Sequence, residues 1–300
     1  MNRRIFLSTV FFAGLGFSAP RKILRLALAA DASAPADIAV VSGLSPETIT
    51  RSAVEILGGM SRFVGRGDRV VVKPNIGWDR PPEMAATTNP HVVAELVRLA
   101  LSAGANKVTV LDNTVSDPRR CYTQSGIAAA AAAAGAAVSY VEDRRFIDAT
   151  LGGTILKRWP IYRDILEADK LINVPIAKTH GTSILTLGMK NLMGVMGGWR
   201  SRIHQRIDES LVDLAFFVKP TLVVLDAVRI LRNNGPQGSR IEDVSKLDTV
   251  IAGVDQVAVD SLGASLFGME GRDLGYVRIG HERGLGTMDL ARLVVRRKRI

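Results

Sequence analysis

The stretch INVPIAKTHGTSILTLGMKNLMG, residues 172–194, begins as an apolar run and then sets Lys178, His180, Lys190 and Asn191 among small and apolar residues. A lysine ammonium is a point charge. It holds a phosphate or carboxylate, or polarises a carbonyl or enolate oxygen, most strongly where water is excluded. His180, two residues past Lys178, offers a general acid or base near neutral pH. In VVVKPN, Lys73 and Asn75 end another apolar run and would orient a substrate from a second strand. Three converging lysines repel one another in an empty site, so their convergence implies an anionic ligand, or Asp112 and Asp226 as counter-charge. We therefore expect a small carboxylate- or phosphate-bearing ligand, with His180 and Lys178 as catalytic groups and Lys73, Asn75, Lys190 and Asn191 as binding groups. His204 is a partner for His180 or, with Asp226 or Asp260, part of an N/O metal set. The metal reading is the weaker, because His180 and His204 lack the i, i+4 spacing of a helix-face ligand pair. A non-catalytic carrier or maturation factor for a ligand, cofactor or metal is the alternative to an enzyme.

Other polar residues read as structure. His91 follows Asn89 and Pro90 at a helix start, His281 falls in a helix-like segment, and Asp255 caps an apolar helix while Asp260 is left open between packing and function. Gly188, Gly194, Gly197 and Gly198 would let backbone amides approach an anion or let helices pack closely, but no Walker or dinucleotide fingerprint accompanies them. Met189, Met193 and Met196 suit core filling. Residues 233–238, NNGPQG, are a turn that would border the crevice.

Short β-branched runs alternate with amphipathic segments, and that alternation must position these groups. DRVVVKP is followed by PHVVAELVRLALSAGA, KVTVLDN and an alanine-rich helix near 124–134; AAVSYVE, ADKLINVPI, PTLVVLDAV and DTVIAGV continue the pattern, with helices expected over 206–218 and 255–267. The economical fold is α/β, a largely parallel sheet flanked by helices. Four apolar runs finish in charge: at Lys73 and Asn75, at Asp112 and Asn113, at Lys178 and His180, and at Asp226. Ligands of open α/β sheets bind outside the carboxyl ends of the strands, so these ends would share one crevice.

The chain has 300 residues, is 47% hydrophobic and carries a formal charge of +10. Arg3, Arg4, Arg21, Lys22 and Arg25 lie in the first thirty residues without an acid; setting them aside leaves about +5. Arg296, Arg297, Lys298 and Arg299 read as a solvated tail. No interleaved aromatic and basic pattern favours nucleic acid as a partner. The single cysteine, Cys121, excludes an intrachain disulfide and any metal or cluster site built from several cysteines of this chain.

The opening MNRRIFLSTVFFAGLGFSAPRKILRLALAADASA has an arginine pair, an apolar run and small residues at Ala27, Ala29 and Ala30. It resembles a twin-arginine export signal. Residues 1–33 are therefore assigned to a signal peptide and 34–300 to one α/β domain, with two subdomains left open. The twin-arginine translocation machinery is the expected partner and the periplasm the expected location. The apolar run is short and glycine-containing for a spanning helix, so no stable transmembrane domain is expected after processing; an uncleaved signal would leave the protein membrane-attached.

VVVKPNIGW, TTNPHVVAELVRLALSAGANKVTVLDN, LINVPIAKTHGTSILTLGMKNLMGVMGG, the later His204, LDAVRILRNNGPQG and AGVDQVAVDSLGASLFG follow one another in an order that resembles the domain of unknown function 362 family, from about residue 65 to about 290. The resemblance singles out Lys73, Pro74 and Asn75, Lys178, Thr179 and His180, Lys190 and Asn191, His204, Gly235 and Pro236, and Asp255 and Asp260. It implies no particular reaction. Many relatives carry a ferredoxin-like iron–sulfur module, which this one-cysteine chain lacks; no iron–sulfur cluster is expected from this chain alone, and the cofactor is otherwise left open.

Overall fold

Pro46, Pro90 and Pro118 each open a helix, where a fixed φ is preorganised and a missing N–H costs nothing. The computed structural model describes residues 35–300; the arginine pair and the rest of the expected export signal lie outside them. In chain order the elements are β1 (Ile38–Ser42), α1 (Pro46–Ile56), β2 (Arg69–Pro74), α2 (Pro90–Ser102), β3 (Lys107–Val110), α3 (Pro118–Gln124), α4 (Ile127–Ala133) and β4 (Ala137–Val138). Then come β5 (Phe146–Thr150), β6 (Arg158–Tyr162), α5 (Arg163–Glu167), β7 (Lys170–Val174), β8 (Ile176–His180), β9 (Ile184–Thr186) and α6 (Gly188–Asn191). The last are α7 (Ile207–Phe217), β10 (Leu222–Leu231), β11 (Val244–Gly253), α8 (Gln256–Ala264), α9 (Gly275–Glu282) and β12 (Val295–Arg299).

One sheet runs β12-β1-β11-β10-β7-β2-β3-β4, with β8 continuing beside β10 and β9 folding back on β8; β5 and β6 form a separate hairpin. The pairs β2–β3, β2–β7, β3–β4, β7–β10, β8–β10 and β1–β12 are parallel, and β11 is antiparallel to both its neighbours. The sheet is thus largely parallel and flanked by helices, and its central strands are buried on both faces, as crossover helices require. The alternation is visible residue by residue. Val70, Val72, Leu222 and Val224 pack into a core with α1, α2 and α4, while Val71, Val223 and Leu225 pack into a second core with α7, α8 and α9.

Side-chain caps fix the starts of two helices. Asn89 accepts the N–H of His91 at the start of α2, and Asp255 accepts those of Val257 and Ala258 at the start of α8. His91 Nδ1 lies 2.7 Å from Glu47, and His281 Nδ1 bonds Gly286 O, so both histidines are engaged in local structure. The described residues form one compact unit, and none of their helices is long and apolar enough to cross a membrane.

Two expectations are corrected. Arg296–Arg299 are not a tail but part of β12, paired in parallel with β1; Arg297, Lys298 and Arg299 are exposed as expected, with Lys298 Nζ donating to Ser52 Oγ of α1. Placing that charge on an outer strand discourages further strand addition. In AAVSYVE only Ala137 and Val138 pair, at the opposite edge; the following Ser139 turns its carbonyl to the buried Tyr122 hydroxyl instead.

Candidate anion site

The carboxyl ends of β2, β3 and β8 open into a cleft of about 460 Å³. Asn75 enters it just past β2, Asp112 and Asn113 just past β3, Lys178 and His180 from β8, and Lys190, Asn191 and Met193 from α6 and the turn after it. Arg200, His204 and Pro236 complete the walls. This is where a ligand of an open parallel sheet is expected.

The floor is a directed chain of amides. Lys178 Nζ donates to Ala86 O (2.5 Å) and to Asn75 Oδ1 (3.0 Å). Asn75 Nδ2 donates to Asn191 Oδ1, Asn191 Nδ2 donates to Asn173 Oδ1, and Asn173 Nδ2 donates to Gly188 O. A backbone carbonyl only accepts, so Gly188 O at one end of the chain dictates the orientation of all three asparagines. The result is a rigid network that holds Lys178 and Asn191 beside the cleft.

Lys73 lies below this floor and does not face the cleft. It is fully buried, with Nζ 2.6 Å from Asp112 Oδ1 and 2.8 Å from Pro74 O. Asp112 also accepts the N–H of Ile76 at 2.6 Å. Gly194 makes the pair possible, because a Cβ there would overlap the Asp112 carboxylate and crowd the Lys73 amine. The role expected for Lys73 as a ligand-orienting group is therefore corrected: the amine is consumed as the partner of Asp112. Burial still pulls its pKa down, against the attraction of that carboxylate.

Asp112, paired with Lys73, also attracts Lys178 and Arg200 from within the lining, so one carboxylate charge is shared among several cations. Burial first, and then Lys190, push Lys178 down to about 7. Lys190, nine-tenths buried, meets only the Met193 sulfur at 3.2 Å, and burial with the Arg200 charge pushes it down to about 8. Arg200 donates from Nη1 to Asn113 O and Met193 O and from Nη2 to Thr114 O. Asp226, the other expected counter-charge, lies away from the cleft: its carboxylate accepts the N–H groups of Asn89 and Val228, and burial raises its pKa to about 6.

The two cleft histidines stack, with centroids 5.7 Å apart and planes inclined by 13°. His180 Nδ1 accepts the N–H of Thr182 at 3.1 Å, so its neutral ring carries the proton on Nε2. His204 Nδ1 meets Ser201 O at 3.2 Å; a carbonyl can only accept, so the neutral His204 ring carries its proton on Nδ1 and has a free lone pair on Nε2. Burial, then Lys190, His204 and Lys178, depress His180 to about 3, which makes it a neutral donor in the empty cleft rather than a group titrating near neutrality.

The metal set expected from His204 and Asp260 is not assembled. Asp260 is fully buried and accepts the N–H groups of Gly188 (2.6 Å) and Met189 (2.9 Å), so it anchors the start of α6 and thereby Lys190; burial raises it to about 7. Among the described residues no group of three or more His, Cys, Asp or Glu is placed to hold a metal ion. Sequence reasoning missed Arg200 and Asn173. Arg200 is the first charged residue after Gly197 and Gly198, and Asn173 is the polar interruption in LINVPI, the available signs of each.

Residues 70–265 match the model of a domain of unknown function, DUF362, which covers more than half of the chain. The chain belongs to the DUF362 family. A thylakoid-associated protein of Synechocystis sp., sll1697, is 28% identical to this DUF362 chain over 218 residues, taking in 70% of this chain and 66% of that relative, just under two thirds of its length. Among solved structures, the lactate racemase apoprotein from Thermoanaerobacterium thermosaccharolyticum is similar with a TM-score of 0.42 and 12% identity over 72% of this chain and 53% of that one. A Thermotoga maritima protein is similar with a TM-score of 0.38 and 13% identity over 76% and 60% of the two chains.

Proposed function

We propose that the cleft binds a small carboxylate- or phosphate-bearing molecule and that the protein does so outside the cytoplasm. One observation carries the binding reading: Lys178, Lys190 and Arg200 line one cavity whose carboxylate, Asp112, already belongs to Lys73. Sheltered cations that outnumber their counter-charge are costly, and a bound anion relieves that cost. Lys178, Lys190 and Arg200 hold the ligand's charge, Asn75 and Asn191 keep Lys178 in place, and His180 donates from Nε2. An enzyme of this design would use the Nε2–H of His180 to polarise an oxygen of the bound molecule, and a carrier would use the same hydrogen bond to hold it. The export reading rests on Arg3, Arg4 and the small residues near Ala30.

A melting series tests the binding reading. A ligand at a hundred times its Kd adds about 2.7 kcal/mol, which at this chain length is roughly 5–10 °C. Phosphate or small carboxylates should give such a rise in the wild type and none in Lys178→Ala or Lys190→Ala. Arg297→Ala, in the outer strand, should respond as the wild type does. Equal responses in all four proteins would mean that the cleft holds no anion.

A further inference from the structure

Three cations face the cleft, and they are not equivalent. Lys178 is tied to two oxygens, and Arg200 spends three N–H groups on backbone carbonyls. Lys190 meets no oxygen; its neighbour is a thioether, a weak acceptor. An amine that is nine-tenths buried, unpaired and aimed into a cavity is held where losing its proton costs least. Arg200 supplies the complement. The N–H groups left without a protein acceptor are the one on Nε and one on Nη2, and they remain for a carboxylate. Lys190 and Arg200 line the same cleft, so a carboxylate on Arg200 would set the rest of a small ligand in the cavity that the amine faces.

We propose that Lys190 forms an imine with a small 2-oxo carboxylate whose carboxylate is held by the unpaired N–H groups of Arg200. The proposal rests on the anion reading above and names the substrate class of that site. The Lys190 amine, after giving one proton to solvent, adds its lone pair to the keto carbon, forming the C–N bond, and the nitrogen then passes a second proton by way of water to the keto oxygen, which becomes a hydroxyl. That oxygen then takes a second proton and leaves as water, and the nitrogen lone pair closes the C=N bond. The net change is ammonium plus ketone to protonated imine plus water, with no oxidant or reductant. His180, which lines the cleft and carries its proton on Nε2, hydrogen-bonds the departing oxygen, while the proton that makes it leave as water comes from solvent. At pH 7 about a tenth of an amine with a pKa near 8 is neutral, against less than about a thousandth of an ordinary lysine. A lysine beside another cationic group in a sheltered pocket is an established way to make such a nucleophile.

The test is reductive trapping. The purified protein is incubated with pyruvate and sodium cyanoborohydride at pH 7 and mapped by peptide mass spectrometry. Lys190 should carry the reduced adduct, forming at least about tenfold faster than at any surface lysine, in line with its larger neutral fraction. Lys190→Arg keeps the charge and should lower trapping to the surface background; Lys190→Met serves the same purpose should the bulkier side chain fail to fold. Arg200→Gln should cut trapping of pyruvate more deeply than that of acetaldehyde, which has no carboxylate and loses only the effect of the Arg200 charge on the amine. Adducts spread over surface lysines with none at Lys190, or undiminished trapping in Lys190→Arg, would overturn the proposal. If pyruvate raised the melting temperature of wild type and Lys190→Arg alike without an adduct, the imine would fail and the anion site would stand. Neither stabilisation nor adduct would sink both.

Discussion

Replacing Asp112 with Asn removes the charge that neutralises Lys73 while keeping an oxygen for the Ile76 N–H. Lys73 is fully buried, so its amine must either stay charged without a partner or lose its proton. Taking a lysine from its ordinary pKa to neutrality at pH 7 costs about 4–5 kcal/mol, which caps the penalty. Breaking a buried pair by removing one partner costs about 3–5 kcal/mol, the same range. The melting midpoint should fall by roughly 6–18 °C. The pH dependence gives the sharper check. In the variant the folded protein holds Lys73 neutral and the unfolded chain holds it protonated, so the unfolded state binds one more proton. Stability relative to wild type should then rise with pH, recovering about 1.4 kcal/mol per unit between pH 7 and 9. Chemical denaturation at pH 7, 8 and 9 measures it, and Asp112→Asn with Lys73→Met should regain at least about 2 kcal/mol by removing both charges. A deficit below about 1 kcal/mol, or one indifferent to pH, would refute the claim that Lys73 is a buried partner of Asp112 and return it to the list of ligand-facing residues.

Gly194→Ala should destabilise by about 1–3 kcal/mol, because its methyl would have to displace the Asp112–Lys73 pair; circular dichroism melts would show it, and a wild-type midpoint would mean that the floor of the cleft is looser than described. Changing Arg3 and Arg4 to lysine should keep the protein in the cytoplasm, as read by cell fractionation; continued export of the double variant would end the twin-arginine reading.

The α/β pattern was legible because β-branched runs and amphipathic segments alternate with little ambiguity, and because apolar runs ending in Lys178 and His180, or in Asp112 and Asn113, mark the carboxyl ends of strands. Lys190 and Asn191 were legible as polar residues in an otherwise apolar segment. What the sequence hid was pairing over distance. Lys73 and Asp112 look like two strand-end polar residues until β2 and β3 lie side by side and Gly194 clears the space between them. Asp260 was undecided because its partners, the N–H groups of Gly188 and Met189, lie some seventy residues earlier. β12 lacks the apolar alternation that reveals a strand, since its side chains are charged and lie at the edge of the sheet.

The most direct test of the central claim is calorimetric titration with oxalate, a dianion throughout the neutral range, at pH 6.5 and 8.5. Lys178 is pushed down to about 7 and Lys190 to about 8 in the empty cleft. An anion favours their charged forms, so binding should take up protons and weaken as pH rises through these values. The account predicts at least about tenfold weaker binding at pH 8.5, a heat that varies with the ionisation enthalpy of the buffer at pH 7.5, and loss of binding in Arg200→Met and in Lys190→Met. Binding of equal strength at both pH values, without proton uptake and retained in both variants, would contradict it.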